Sequence, residues 1–187
     1  VSATPLATKH GLIVNLGAIG ANLVCLDKKT GKSIWSSGKK WGASYASPVP
    51  AIIHGQPRVL VFAGGESDPP HGGLLSLDPT NGKIDFRFPW RSESTESVNA
   101  ANPVVIQNKV FITASYKTGG ALVDIDKNLK TAKASWTSKD FGAHFNTPIH
   151  HKGYLYGFAG RHIRTSELVC FRVSDGKEMS VSYTHLT

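Results

Sequence analysis

Four histidines, His144, His150, His151 and His162, fall within one short stretch of the chain. A second stretch, GGESDPPHGG from Gly64 to Gly73, sets Glu66, Asp68 and His71 close together. Side chains of these kinds hold divalent cations or move protons, so spacing has to decide. His150 and His151 are adjacent in a β-rich run and point to opposite faces, which prevents them from meeting on one ion. Neither a Cys-x-x-Cys nor a His-Glu-x-x-His spacing supports zinc. The prolines and glycines around Glu66, Asp68 and His71 read as an interstrand loop, and the histidines as turn or surface residues. Two glycine-rich pieces, GAIG (Gly17 to Gly20) and KTGG (Lys117 to Gly120), lie between strands, with no helix following to complete a phosphate cradle. A Gly-x-Ser-x-Gly elbow is absent, and paired carboxylates of the glycosidase kind are absent too.

Most remaining acids stand in turns. Asp27, Asp78, Asp126 and Asp175 each sit in a short polar break after a Leu-rich run. Those runs are copies of one another: LVCLDKKTGKSIW from Leu23, LLSLDPTNGKIDF from Leu74, LVDIDKNLKTAKASW from Leu122 and LVCFRVSDGKEM from Leu168. A motif returning every ~45–50 residues marks a repeat architecture. Each unit opens on a small residue and a proline (Pro5, Pro48, Pro103, Pro148), continues in a β-rich run, then the Leu-rich strand, then a strand after the turn. That last strand ends in an aromatic: Trp35, Phe86, Trp136.

The turn chemistry is specific. Asp27 to Gly31 suits a type I turn closed by a left-handed glycine, with the Asp27 carboxylate accepting backbone N–H groups. Asp78 to Gly82 repeats it, as do Asp175 and Gly176. The third copy, after Asp126, lacks the glycine and is expected to have a longer turn. Gly31→Val is expected to lower the melting temperature, because a β-branched residue is forced to positive φ. An unchanged melting temperature would count against the turn.

Four units of four short antiparallel strands with no amphipathic helix cannot bury both sheet faces alone. Blades stacked around an axis can, with the terminal aromatics wedged between neighbours. The expected fold is all-β: a partial β-propeller with blades at about 4–36, 46–88, 101–137 and 146–180. The polar segment between Phe88 and Pro103 is expected as a surface loop, and RSESTES within it, from Arg91, as either a partner epitope or a solvated loop. Cys25 and Cys170 occupy equivalent strand positions in separate blades, too far apart for a disulfide, so both are expected free and buried.

The pattern Leu-x-x-Leu-Asp-x-x-Thr-Gly-Lys-x-x-Trp resembles the repeat of the pyrroloquinoline-quinone (PQQ)-like propellers. That superfamily includes quinoprotein alcohol dehydrogenases and the lipoprotein scaffold of the outer-membrane barrel-assembly machinery. VNLGAIGANLVCLDKKTGKSIW, SVNAANPVVIQNKVFITASYKTGGALVDI and HFNTPIHHKGYLYGFAG resemble a non-enzymatic branch abundant in planctomycete-type bacteria. The resemblance runs from Thr4 to Met179. It implies a ring of seven or eight blades, of which this chain would carry about four, with raw blade faces that favour aggregation. In the enzymes it implies PQQ, a Ca²⁺ site of Glu, Asn and Asp, a catalytic Asp and an adjacent Cys–Cys pair. No such pair occurs here.

The reading is therefore a non-catalytic, extracytoplasmic binding or scaffold module with no cofactor. Asp27, Gly31, Trp35, Asp78, Gly82, Phe86, Asp126, Trp136 and Gly176 act as structural residues. Another protein or a cell-envelope polymer is the expected partner. A fragment of a quinoprotein dehydrogenase, carrying PQQ and Ca²⁺, is the alternative. A polymer-binding role would need aromatics exposed on one rim; Trp41, Tyr45, Trp90 and Tyr116 are candidates, with packing between blades the expected fate of each.

The chain has 187 residues, 40% hydrophobic and 18% charged, with a formal charge of +8. The composition is that of a globular chain. Its excess lysines are scattered through turns, unlike the clustered basic face with interleaved aromatics that binds nucleic acid. No apolar run approaches the ~18 residues of a membrane helix. The last seven residues, VSYTHLT (181–187), resemble the translated end of a transposase-based sequencing adaptor. They are expected to be non-native, with an aromatic at position 180 in the intact gene in place of Ser180.

Overall fold

The computed structural model describes residues 3–18, 21–38, 41–65, 70–161 and 166–183. Among these residues sixteen strands form four antiparallel sheets, each a meander in chain order. Blade 1 holds β1 (Leu6–Ala7), β2 (Leu12–Ala18), β3 (Ala21–Leu26) and β4 (Ser33–Ser37). Blade 2 holds β5 (Val49–Ile53), β6 (Gln56–Ala63), β7 (Gly73–Leu77) and β8 (Ile84–Pro89). Blade 3 follows with β9 (Val104–Ile106), β10 (Lys109–Ala114), β11 (Gly119–Ile125) and β12 (Ala132–Ser138). Blade 4 has β13 (Ile149–His151), β14 (Tyr154–Ala159), β15 (Glu167–Arg172) and β16 (Glu178–Tyr183). The strand β16 runs past position 180, with Val181 to Tyr183 pairing back to Val169 to Glu167.

Among the described residues three apolar cores lie between the four blades. Along β6, Val59, Val61 and Ala63 face a core shared with Ile13, Leu23 and Cys25 of blade 1. The alternate residues Leu60 and Phe62 face a core shared with Val110, Ile112 and Val123 of blade 3. The pleat thus divides one strand between two interfaces, which is why β6 and β7 read as continuous apolar runs rather than alternating ones. The third core joins Phe111, Leu122 and Phe141 to Leu155, Val169 and Phe171. Each large side chain so buried contributes about 1.5–3 kcal/mol.

The terminal aromatics occupy one register position. Trp35 stands opposite Cys25, Phe86 opposite Ser76 and Trp136 opposite Leu122, each beside a register shift in the ladder. Ser180, opposite Cys170, holds the same place in blade 4. The Trp35 indole N–H donates to the Pro79 carbonyl of the next blade's turn at 3.2 Å. Trp136 donates likewise to the Val173 carbonyl at 2.8 Å. In both cases the ring lies over the turn glycine: a Cβ on Gly82 would come within 2.5 Å of Trp35, and one on Gly176 within 2.5 Å of Trp136.

The third turn corrects the expected lengthening. Asp126 N–H reaches the Thr131 carbonyl across the same number of residues as Asp27 to Lys32 and Asp78 to Lys83. What is longer is the hairpin, because the ladder from Leu122 to Ile125 runs further before the turn begins. The left-handed residue there is Leu129, at φ 62°, buried in the same core as Phe86. The absent glycine and the absent tryptophan are two halves of one interface: a smaller ring meets a larger turn residue. The indole bond lost at that register is matched at the other end of the same interface, where Trp90 donates to the Gly119 carbonyl at 3.1 Å.

A second system joins the blades at the repeat prolines. Thr4 N–H donates to Ser47 Oγ at 2.8 Å, Ser47 N–H to Asn102 Oδ1 at 2.7 Å, and Asn102 N–H to Thr147 Oγ1 at 3.1 Å. Each donor directly precedes a repeat proline, and each acceptor is the equivalent side chain one blade on.

The turn carboxylates carry a pH signature. Asp27 is held below its ordinary range by the Thr30 N–H and hydroxyl and by the Lys29 N–H. Asp175 is lowered to about 2, first by the Arg172 guanidinium and then by the Lys177 N–H. A carboxylate lowered in the folded state stabilises above its unfolded value of about 3.9, and that contribution is lost as pH falls through the folded value. The melting temperature should therefore fall between about pH 4 and pH 2, and fall less steeply in Asp175→Asn. Parallel thermal-melt profiles for the two proteins would remove Asp175 from the account.

Candidate functional site

In an antiparallel meander, the second-to-third-strand loops and the links between blades share one end of the ring. The β3–β4-type turns lie at the other end. Every structural-motif residue of the turns (Asp27, Gly31, Asp78, Gly82, Asp126, Gly176) therefore lies away from the link end. Crevices of about 520, 600 and 500 Å³ open between blades at the turn end. At the first of them Arg58 pairs with Asp85 at 2.8 Å, and Asp78 accepts from the Thr80 hydroxyl at 2.6 Å.

The link end carries aromatic residues in one contact chain. Tyr45, from the β4–β5 link, meets Phe145, from the β12–β13 link, with ring centroids 5.7 Å apart and edge to face. Phe145 lies against His144 at 4.2 Å, and His144 against Tyr116 of the β10–β11 loop at 5.2 Å. The Tyr116 hydroxyl and His144 Nε2 share a hydrogen bond at 3.1 Å. Beyond β14, the Arg161 guanidinium lies over the Tyr116 ring at 3.9 Å. Tyr45 is 41% exposed and Phe145 59%.

Repeat geometry explains the meeting. Tyr45, Ala100 and Phe145 each stand three residues before a repeat proline. The middle position is a buried alanine, so rings from two links can approach across a third. Backbone bonds hold the links: Tyr45 N–H donates to the Asn99 carbonyl at 3.0 Å. Ala143 N–H donates to Thr113 Oγ1 at 2.9 Å, and the Asn146 side chain pairs with both backbone groups of Phe158. Tyr116 and Lys117 both take left-handed φ of 62°, a conformation that costs a non-glycine residue of order 1–3 kcal/mol and clusters at functional loops. A hollow of about 340 Å³ beside them is lined by Arg91, Ser92, Glu93, Tyr116 and Lys117 among others.

The loop from Arg91 to Ala101 is less a surface loop than its polarity suggests. Glu93 to Glu96 are exposed, but Ser92, Ser97, Asn99 and Ala100 are buried. Arg91 bonds the Ser97 hydroxyl at 2.7 Å and the Gly65 carbonyl at 3.1 Å, and Ser92 bonds the Tyr116 carbonyl at 3.0 Å. Of the aromatics expected to pack between blades, Trp41 and Trp90 pack against the cores. Tyr45 does not, because its neighbour in the third dimension is Phe145 rather than a sheet. Phe145 and Arg161 carried no signal in their own stretches; the alignment of residues three before each proline would have found the first.

His144 is the one member of the histidine group with a described role in this chain of contacts. His150 and His151 fall in β13, while His162, Glu66 and Asp68 lie outside the described residues. Among the described residues no group of three or more His, Cys, Asp or Glu side chains could hold a metal ion. Cys25 is buried between blades 1 and 2 and Cys170 in blade 4, both free. The two separated cysteines and the scattered acids of the described residues do not supply the adjacent Cys–Cys pair or acidic cluster of a Ca²⁺–quinone centre. The contact chain offers aromatic faces, a hydrogen-bonded Tyr–His pair and a cation.

A family model described as outer membrane protein assembly factor BamB matches residues 1–180. Two curated relatives are 30% identical over 110 and 111 residues: the dehydrogenase subunits of alcohol dehydrogenase (quinone) from Gluconacetobacter polyoxogenes and Komagataeibacter europaeus. Each match covers 54% of this chain and only 15% of the relative. The crystal structure of BamB from Moraxella catarrhalis superposes with a TM-score of 0.65 over 95% of this chain and 47% of that one. At 15% identity, that likeness speaks for the propeller fold.

Proposed function

The chain belongs to the PQQ-repeat family described as outer membrane protein assembly factor BamB, and from that footing we propose that it is a non-catalytic, extracytoplasmic binding module. Its propeller sector displays the link-end aromatic chain to another protein. The observation that carries this reading is the Tyr45–Phe145 contact, exposed and assembled from links two blades apart. Tyrosine, phenylalanine and arginine are the residues that interface centres favour. A rigid sheet framework fixes their geometry before any partner arrives, which lowers the ordering cost of association.

The test uses the full-length protein in its host, with a photo-crosslinking benzoylphenylalanine in place of Phe145 or, as control, of Lys29 at the opposite end. A discrete protein adduct from position 145 and none from position 29 is expected. Equal adducts from both, or none, would overturn the reading. The quinone alcohol dehydrogenase relatives favour a second reading, a dehydrogenase fragment. Dye reduction by full-length protein given PQQ, Ca²⁺ and ethanol would move the function there.

A further inference from the structure

We propose that the link-end site recognises an extended protein segment carrying a carboxylate about four residues from a large apolar side chain. The inference rests on the binding-module reading and specifies the chemistry of its partner. The cation comes first. Arg161 is bound to no carboxylate among the described residues, and its guanidinium carbon lies over the Tyr116 ring, 3.9 Å from the centroid. A guanidinium held on a ring keeps its N–H edge free and already oriented, the arrangement that pairs bidentately with a carboxylate. Tyr116 is itself fixed, by its left-handed backbone, the Ser92 bond to its carbonyl and the His144 bond to its hydroxyl. Lys117, exposed on the same turn, adds a second positive charge, while Glu93 beside the same hollow contributes one negative charge.

The apolar end follows from the contact chain. From Tyr116 to Tyr45 the rings step by 5.2, 4.2 and 5.7 Å, a contour that limits the span to at most about four to five residues of extended chain at about 3.3 Å each. It ends at the exposed Phe145 and Tyr45 rings, where a ligand side chain finds aromatic faces without displacing a packed core. A neutral polysaccharide would use the rings but gain only single hydrogen bonds from Arg161, weaker than a bidentate carboxylate pair. A basic segment would be repelled there. Charge complementarity thus selects an acidic, apolar-bearing peptide.

Fluorescence anisotropy on the full-length protein tests this with a labelled peptide Gly-Asp-Ala-Thr-Ala-Phe-Gly, its Asp→Asn and Phe→Ala versions, and dextran as competitor. The acidic peptide is expected to bind at least tenfold more tightly than the Asn version, with affinity falling as salt rises. Arg161→Gln should erase that preference, and Phe145→Ala should weaken the binding of both peptides. Both side chains are exposed, so thermal melts should match the parent. Equal affinity for the Asp and Asn peptides, indifference to Arg161→Gln, or displacement by dextran would overturn the proposal. A crosslink at position 145 combined with equal peptide affinities would sink this chemistry and leave the binding module standing. Absence of both would remove the module too.

Discussion

Gly82→Ala is expected to destabilise the protein by about 2–5 kcal/mol, and Gly31→Ala by only about 1–2 kcal/mol, in chemical denaturation. The two glycines have nearly the same backbone, φ 72° and 69°, so the conformational cost of a Cβ is shared. They differ in what lies above them. A Cβ at Gly82 meets the Trp35 ring at 2.5 Å, whereas at Gly31 nothing lies within 4 Å. The difference between the variants isolates the seating of an aromatic on a turn. Equal losses would mean that Trp35 shifts at no cost and that the glycine is needed only for its backbone.

The second large effect concerns the interface between blades 2 and 3. Phe86→Trp is expected to cost about 1–3 kcal/mol, because the enlarged ring enters a filled core beside Leu129. Leu129→Gly alone is expected to cost about 2–4 kcal/mol, the loss of a buried leucine being partly offset by relief of its left-handed backbone. Combined, the two set an indole against a left-handed glycine, one residue earlier in its turn than Gly82 or Gly176. The double variant should then be more stable than the summed single losses predict, by at least about 1 kcal/mol. Additive losses in a double-mutant cycle would show that Phe86 and Leu129 are independent departures from the repeat.

These pairs show where sequence reading works. Asp27 to Gly31 specifies its turn chemically, so φ, capping and strand direction follow from local residue types, and the recurring Trp35, Phe86 and Trp136 mark the ladder position that faces the next blade. Leu129 escaped because a left-handed leucine is locally unfavourable and is chosen by a ring that arrives from another blade. The longer blade 3 hairpin escaped for a related reason: extra ladder pairs and an extra-long turn look alike in a string. The binding surface was least legible. Tyr45 and Phe145 are a hundred residues apart, and nothing in either stretch announces the other. Their meeting depends on Ala100, a residue whose contribution is the space it leaves.

The bonds at the repeat prolines have an evolutionary corollary. Thr4, Ser47 and Asn102 each donate a backbone N–H to the next blade, and Ser47, Asn102 and Thr147 each accept through a side chain. Ser47 and Asn102 do both. Any unit bounded by such residues carries one plug and one socket of the same gauge, so tandem duplication or deletion of a whole blade leaves every joint matched. Lineages are then free to change ring size in steps of one unit, while a cut made anywhere inside a blade leaves a plug with no socket.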